Sequence, residues 1–262
     1  MKASVNGINL YYEDEGTGTP LLLIHGFPLS SQIWREQIER LKTDFRIIAP
    51  DLRGFGHSDA PPCGYSMDIY ADDIAALMDH LGIESAFVCG MSMGGYVLLN
   101  LLDRYPARVR GACFMVTRGG ADDEAGKERR TALAEEVMKS GVKVIAELFG
   151  KILFAPGTAE CRPEIAAEVA GIMLKMKSEG VVGGLLSMRE RPDYFEKLAG
   201  FDIPSLVIGG EKDQAIPVEE SLILAKRLPN ASLCVIPEAG HMAMMEQPEA
   251  VNRALKDFLK TF

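Results

Sequence analysis

The chain has 262 residues, 47% hydrophobic and 25% charged, with a formal net charge of −9. That length suits one large α/β domain, and the composition is that of a water-exposed globular chain. The acidic balance argues against nucleic acid as a partner, and no apolar run approaches the roughly 18 residues of a membrane span.

The opening stretch MKASVNGINLYYEDEG holds one lysine and then turns acidic, without the apolar core of a secretory leader. Five cysteines, Cys63, Cys89, Cys113, Cys161 and Cys234, form no CxxC pair, and three fall in expected strands. They read as small apolar residues of a reducing compartment, so a cytoplasmic location is expected. The four histidines are not at metal-ligand spacing, and no metal site is expected.

In chain order, residues 3–5 and 8–14 flank Asn6-Gly7, the pattern of a β-hairpin. The apolar run 21–24, ending at His25-Gly26, suits a strand buried on both faces. A helix is predicted near 31–42 and a strand over 45–49. Across 66–81, Tyr70, Ile74, Leu77, Met78 and Leu81 share one helical face, with Gly82 as the stop. A strand at 86–89 leads into GMSMGGY (90–96), then an almost wholly apolar helix that Pro106 ends. Another strand spans about 110–116.

From 118 to 198 the alternation ceases. Helices are predicted near 121–139, 141–153, 162–177 and 180–190, and the mixed run Lys127, Glu128, Arg129, Arg130 reads as a solvated face. A strand at 205–208 restores the rhythm. The helix from Pro217 carries Glu219 and Glu220 early and Lys226 and Arg227 late, matching the helix dipole. A strand at 232–236 and a helix from Pro248 complete the chain. Repeated β–α units imply a parallel sheet with helices on both faces. Segments 1–117 and 199–262 are expected to form the core, and 118–198 a helical cap within the same folding unit.

The GxSxG pattern at 90–94 lies between an apolar strand and a helix, where the chain must turn sharply and project Ser92 from the strand's carboxyl end. A serine capping the helix is the plainer reading. A serine nucleophile needs a base, and the base needs an orienting carboxylate. His241 follows the last strand, and Asp213 follows the strand before it, with Glu211 as its rival. The expected oxyanion donors are the N–H of Met93 and, from the loop after the third strand, that of Phe27; Pro28 has no N–H to give. His25 is expected to hold that loop. Gly54-x-Gly56 is no dinucleotide fingerprint, since Asp59 stands where a third glycine belongs. The loop carrying Asp51 and Arg53 is expected to fold around an Asp–Arg interaction.

The motifs HGFP (25–28), PDLRGFGHSD (50–59), GMSMGG (90–95), GEKDQAIP (210–217) and EAGH (238–241) resemble the α/β-hydrolase superfamily over nearly the whole chain. Within it, the chain is most similar to small carboxylesterases and 3-oxoadipate enol-lactonase-like hydrolases. The resemblance implies an α/β-hydrolase fold: a mostly parallel eight-stranded sheet flanked by helices, with a helical cap inserted after the sixth strand. It also implies a triad of Ser92, Asp213 and His241, oxyanion donors Phe27 and Met93, a small ester or lactone substrate, and no cofactor. Serine at 92 argues against dehalogenase and epoxide-hydrolase relatives. HGFP is similar to the loop of cofactor-free haloperoxidases and perhydrolases, which makes peracid formation a candidate side activity. A hydrolase-fold receptor with little turnover would carry the same residues. Candidate substrate contacts are Trp34, Phe149, Phe154 and Arg118; Trp34 is better suited to packing under the first helix, and Arg118 to the surface.

Overall fold

The computed structural model describes residues 1–261; Phe262, the last residue of the expected core segment, lies outside them. The hairpin is β1 (Lys2–Val5) and β2 (Ile8–Glu15). Then come β3 (Pro20–Ile24), α1 (Arg35–Leu41), β4 (Arg46–Pro50), α2 (Met67–His80), β5 (Ala86–Met91), α3 (Met93–Arg104) and β6 (Val109–Met115). Five helices follow: α4 (Glu124–Ser140), α5 (Lys143–Phe149), α6 (Thr158–Cys161), α7 (Pro163–Leu174) and α8 (Ser178–Arg189). The chain returns to the sheet with β7 (Ser205–Gly210), α9 (Val218–Arg227) and β8 (Ala231–Ile236), and ends with α10 (Ala243–Glu246) and α11 (Pro248–Lys260).

The eight strands form one sheet in the order β1-β2-β4-β3-β5-β6-β7-β8. Only β2 runs against its neighbours; the pairings from β4 to β8 are all parallel. This is an α/β-hydrolase fold. Every residue of β5 is buried, as a central strand covered on both faces requires. Its parallel neighbours end at the same edge, so the loops carrying Phe27, Ser92, Asp213 and His241 all leave the sheet there. Among the described residues no helix is long and apolar enough to cross a membrane.

Two expected helices come out shorter, for different reasons. The stretch 31–42 splits into a 3₁₀ turn, Ser31–Trp34, and α1; the Ser30 hydroxyl accepts the Gln32 N–H at the start of that turn. The helix expected over 141–153 stops at Phe149. Beyond it, backbone groups find tertiary partners: the Leu153 carbonyl accepts the Met242 N–H (3.0 Å), and the Phe154 carbonyl accepts Gln214 Nε2 (2.9 Å). Such bonds satisfy the backbone as well as a helical ladder would. The basic run is not wholly a solvated face either. Arg130 turns inward to Asp122, a buried carboxylate that also accepts from Arg118 and from Arg191 (2.8 Å).

The helical insertion meets the sheet domain through glycines. On α8, a Cβ at Gly180 would overlap the Gly54 carbonyl, and one at Gly183 would enter the Tyr65 ring. At Gly184 it would come within 2.8 Å of Phe55 and 3.0 Å of Phe27. Backbone therefore packs on backbone at Gly180 and on aromatic rings at Gly183 and Gly184, an approach that only a residue without a Cβ allows. Gly180→Ala is expected to lower stability by about 1–3 kcal/mol, the usual cost of overpacking. Gly171→Ala, in α7 where a Cβ meets nothing, should be neutral or stabilising by up to about 1 kcal/mol. Urea unfolding of the two variants checks the contrast.

Candidate active site

The strand–turn–helix at β5–α3 is closed by absent side chains. A Cβ on Gly90 would lie 2.5 Å from the Gly94 carbonyl carbon, and one on Gly94 would press on the Ile24 and His25 carbonyls. Ser92, between them, takes φ 53° and ψ −115°, a conformation that non-glycine residues rarely adopt. Its N–H donates to the Met115 carbonyl (2.9 Å), extending the β5–β6 ladder into the turn. Its carbonyl accepts from the Thr117 hydroxyl (2.8 Å). Its own hydroxyl caps no helix N–H, against the plainer reading of this serine.

The 25–28 loop reaches the same turn. A Cβ on Gly26 would fall 3.0 Å from Ser92 Cβ and overlap the Met91 sulfur. The His25 ring, fully buried, fastens the loop: its Nε2 accepts the Leu52 N–H (2.9 Å) and its Nδ1 donates to the Gly26 carbonyl (2.8 Å). Burial pushes the pKa of His25 below 6.5, outweighing the Asp51 carboxylate and the Gly26 carbonyl, which act the other way. The neutral ring is the form that can accept at one nitrogen and donate at the other. The Phe27–Pro28 bond is cis. Among the described residues, neither the Phe27 nor the Met93 N–H donates to an acceptor within the chain.

On the neighbouring strands, His241 Nδ1 lies 2.7 Å from Asp213 Oδ2, with both side chains almost wholly buried. The other Asp213 oxygen accepts the N–H groups of Ala215 (2.8 Å) and Ile216 (2.9 Å). An ionised carboxylate can only accept, so in a neutral ring paired this way Nδ1 would carry the proton and leave Nε2 its lone pair. Glu211 turns elsewhere; it accepts the Glu238 N–H at 3.0 Å.

The other expected contacts divide. The Phe149 ring packs edge-on against Phe27, with centroids 5.5 Å apart. Phe154 is buried, and Trp34 is fully enclosed. Arg118 pairs with Asp122, whose carboxyl is burdened by burial but drawn well below the usual range by Arg191 and Arg130. The expected Asp–Arg interaction of the 51–59 loop takes a different partner. Arg53 forks onto Asp73 of α2 (2.8 Å twice), while Asp51 accepts the N–H groups of Ser31 and His57 (both 2.7 Å). A carboxylate enclosed by two loops is best served by their backbone donors, and a two-pronged guanidinium by a free carboxylate on the adjacent helix.

Two residues at this edge had no sequence motif to mark them. Thr117 packs on Gly95, where a Cβ would come within 2.6 Å of its methyl carbon. Glu246 is a lone acid after the apolar run 242–245, buried to 2% exposure. That misplaced polarity is the one signal it gave.

Residues 19–248 match the sequence profile of the alpha/beta hydrolase fold family. The chain belongs to that family. Among this hydrolase's solved relatives is a thermophilic esterase from Thermogutta terrifontis, determined with malate bound. It is 39% identical, with a TM-score of 0.96 over 100% of this chain and 98% of its own. The AB hydrolase superfamily protein YisY of Bacillus subtilis is 30% identical over 96% of this chain and 95% of its own. The 3-oxoadipate enol-lactonase 2 of Acinetobacter baylyi is 29% identical over 92% of this chain and 89% of its own.

The His25 anchor predicts a pH dependence of stability. Its folded pKa lies below 6.5, so the unfolded chain binds the proton more readily. Its contribution to stability is complete above about pH 6.5 and is lost as pH falls towards the folded pKa. Thermal unfolding between pH 7 and pH 5 should show a shallower pH slope in His25→Asn than in the parent; equal slopes would remove His25 as the cause.

Proposed function

We propose that this hydrolase cleaves small carboxylic esters or lactones through an acyl-enzyme formed on Ser92. The observation that carries the reading is the Ser92 backbone. A left-handed conformation at a non-glycine residue costs on the order of 1–3 kcal/mol. Here it gains no helix cap in return and leaves the hydroxyl free at the carboxyl edge of the sheet.

In this mechanism Ser92 attacks the substrate carbonyl while His241 Nε2 takes the hydroxyl proton. Asp213, fixed by the Ala215 and Ile216 N–H groups, holds the ring and stabilises the imidazolium that forms. The developing oxyanion sits between the N–H groups of Phe27 and Met93. Each such donor is worth about 10²–10³ in rate. His241 returns the proton to the leaving alkoxide, then draws one from water to release the acid. Ser92 and His241 make no hydrogen bond in the described chain, and pairs of this kind tighten once substrate is bound. The aromatic surroundings of Phe27, built from Phe55 and Phe149, favour an apolar acyl or aryl group.

Hydrolysis of short p-nitrophenyl esters and simple lactones, followed by absorbance and pH-stat, tests the reading. Ser92→Ala should lower kcat/KM by about 10⁴–10⁶-fold, and Asp213→Asn by about 10³–10⁴-fold. A fluorophosphonate should add one mass increment at Ser92 and none in Ser92→Ala. Absence of turnover across the panel, with ligands still raising Tm, would instead mark a receptor.

A further inference from the structure

Glu246 ends α10 with its carboxylate buried and, among the described residues, in no ion pair. Three neutral donors surround it. Oε1 accepts the Ala155 N–H and the Thr158 hydroxyl, both at 2.8 Å, and Oε2 accepts the Gly240 N–H at 2.8 Å. The backbone carbonyl of Glu246 accepts Arg162 Nη1 at 2.8 Å. The carboxylate thus joins two parts of the chain, Ala155 and Thr158 just beyond α5 and Gly240 next to His241, that lie 82 or more residues apart.

The contact is close and has no slack. A Cβ on Gly240 would come within 2.5 Å of the Phe154 carbonyl carbon and 3.0 Å of Glu246 Oε2. On the other side of His241, the Met242 N–H donates to the Leu153 carbonyl (3.0 Å). The Phe154 carbonyl accepts from Gln214, the neighbour of Asp213 (2.9 Å). Residues 153–158 therefore fasten both the histidine loop and the aspartate loop, and Glu246 closes the fastening at the histidine.

We propose that Glu246 is a positioning residue for His241: it fixes the Ala239–Gly240 peptide, one residue ahead of the histidine, against the helical insertion, so that the ring held by Asp213 directs Nε2 at Ser92. This rests on the reading of Ser92, Asp213 and His241 given above. Asp213 fixes one ring nitrogen, but the ring's origin is set by the main chain that carries it. Glu246 supplies the acceptor that holds that main chain. It acts through His241 and touches no reacting atom. Glutamine at this position keeps the shape but must point an amide donor at one of three donors, so part of the fastening opens.

The test uses the full chain carrying Glu246→Gln. It reads kcat and KM on a short p-nitrophenyl ester, thermal unfolding, and the low-field proton resonance of His241 Nδ1–H. The expected result is a folded protein with kcat down about 10–100-fold, the scale of an ångström-sized misplacement, and KM within about twofold. The low-field resonance should shift or broaden. Unchanged kcat and resonance would overturn the proposal, as would a fall in Tm or a rise in KM alone, since a merely structural tie does that. Should Glu246→Gln not fold, Thr158→Val removes one donor and leaves the carboxylate. It should lower kcat several-fold with the same change in resonance, and parent values would overturn the proposal. The resonance is read without substrate. A parent protein that turns over no ester would therefore defeat the hydrolase reading while the Glu246 test still gave its own answer.

Discussion

The closeness of three backbone segments at the β5–α3 turn sets the geometry of the molecule. Gly90 touches Gly94, Gly94 lies on the Ile24 and His25 carbonyls, and Gly26 lies on Met91 and Ser92. No side chain separates Gly90 from Gly94, or Gly94 from the Ile24 and His25 carbonyls. The nearness of the 25–28 loop to Ser92 follows from that contact. A methyl group at Gly90 or Gly94 would have to move main chain rather than a flexible side chain, so the tolerance there is far below that of an ordinary core position. The neighbouring strands, in parallel register from β4 to β8, deliver the remaining loops to the same edge.

Much of this was legible in the sequence because it is local. Short apolar runs ending in glycine mark buried strands, and the order serine, aspartate, histidine follows the order of strand ends. That Asp213 rather than Glu211 meets the His241 ring was legible too, since the acid must stand clear of its strand to reach it. What escaped was everything decided by contacts between distant segments. Arg53 and Asp73 are twenty residues apart, and nothing in the spacing distinguishes Asp73 from Asp51 as the arginine's partner. The stretch after Phe149 has helical composition through Leu153 and keeps local N–H bonds that far, but the next groups are claimed from a distance: the Leu153 carbonyl by Met242, the Phe154 carbonyl by Gln214 and the Ala155 N–H by Glu246. Periodicity reports which face is apolar; it carries no record of a main-chain hydrogen bond made to a residue ninety positions away.

The charged groups inside the structure solve their burial in two ways. Asp122 gathers three arginines, one of them, Arg191, also stacked on the Tyr96 ring of α3 (4.4 Å). Opposite charge compensates its desolvation and ties the start of the helical insertion to the helix that follows Ser92. Glu246 uses neutral donors instead, two of the three being main-chain N–H groups. A guanidinium on a long side chain can follow its partner if the backbone shifts; an N–H cannot. The first arrangement binds segments together, and the second also fixes where they are.

That difference bears on exchange of parts between related proteins. The helical insertion resembles a removable lid, since it is continuous in sequence and leaves and re-enters the sheet at adjacent strands, β6 and β7. Yet residues 153–158 belong to the mounting of the histidine and aspartate loops as much as to the insertion. A graft cut at the sheet boundaries would import a new roof together with half of a foreign hinge-pin. Leu153, Phe154, Ala155 and Thr158 on one side, and Gln214, Gly240, Met242 and Glu246 on the other, form a single inheritable unit. α4 and α7 lie outside that unit and can be exchanged while it travels intact.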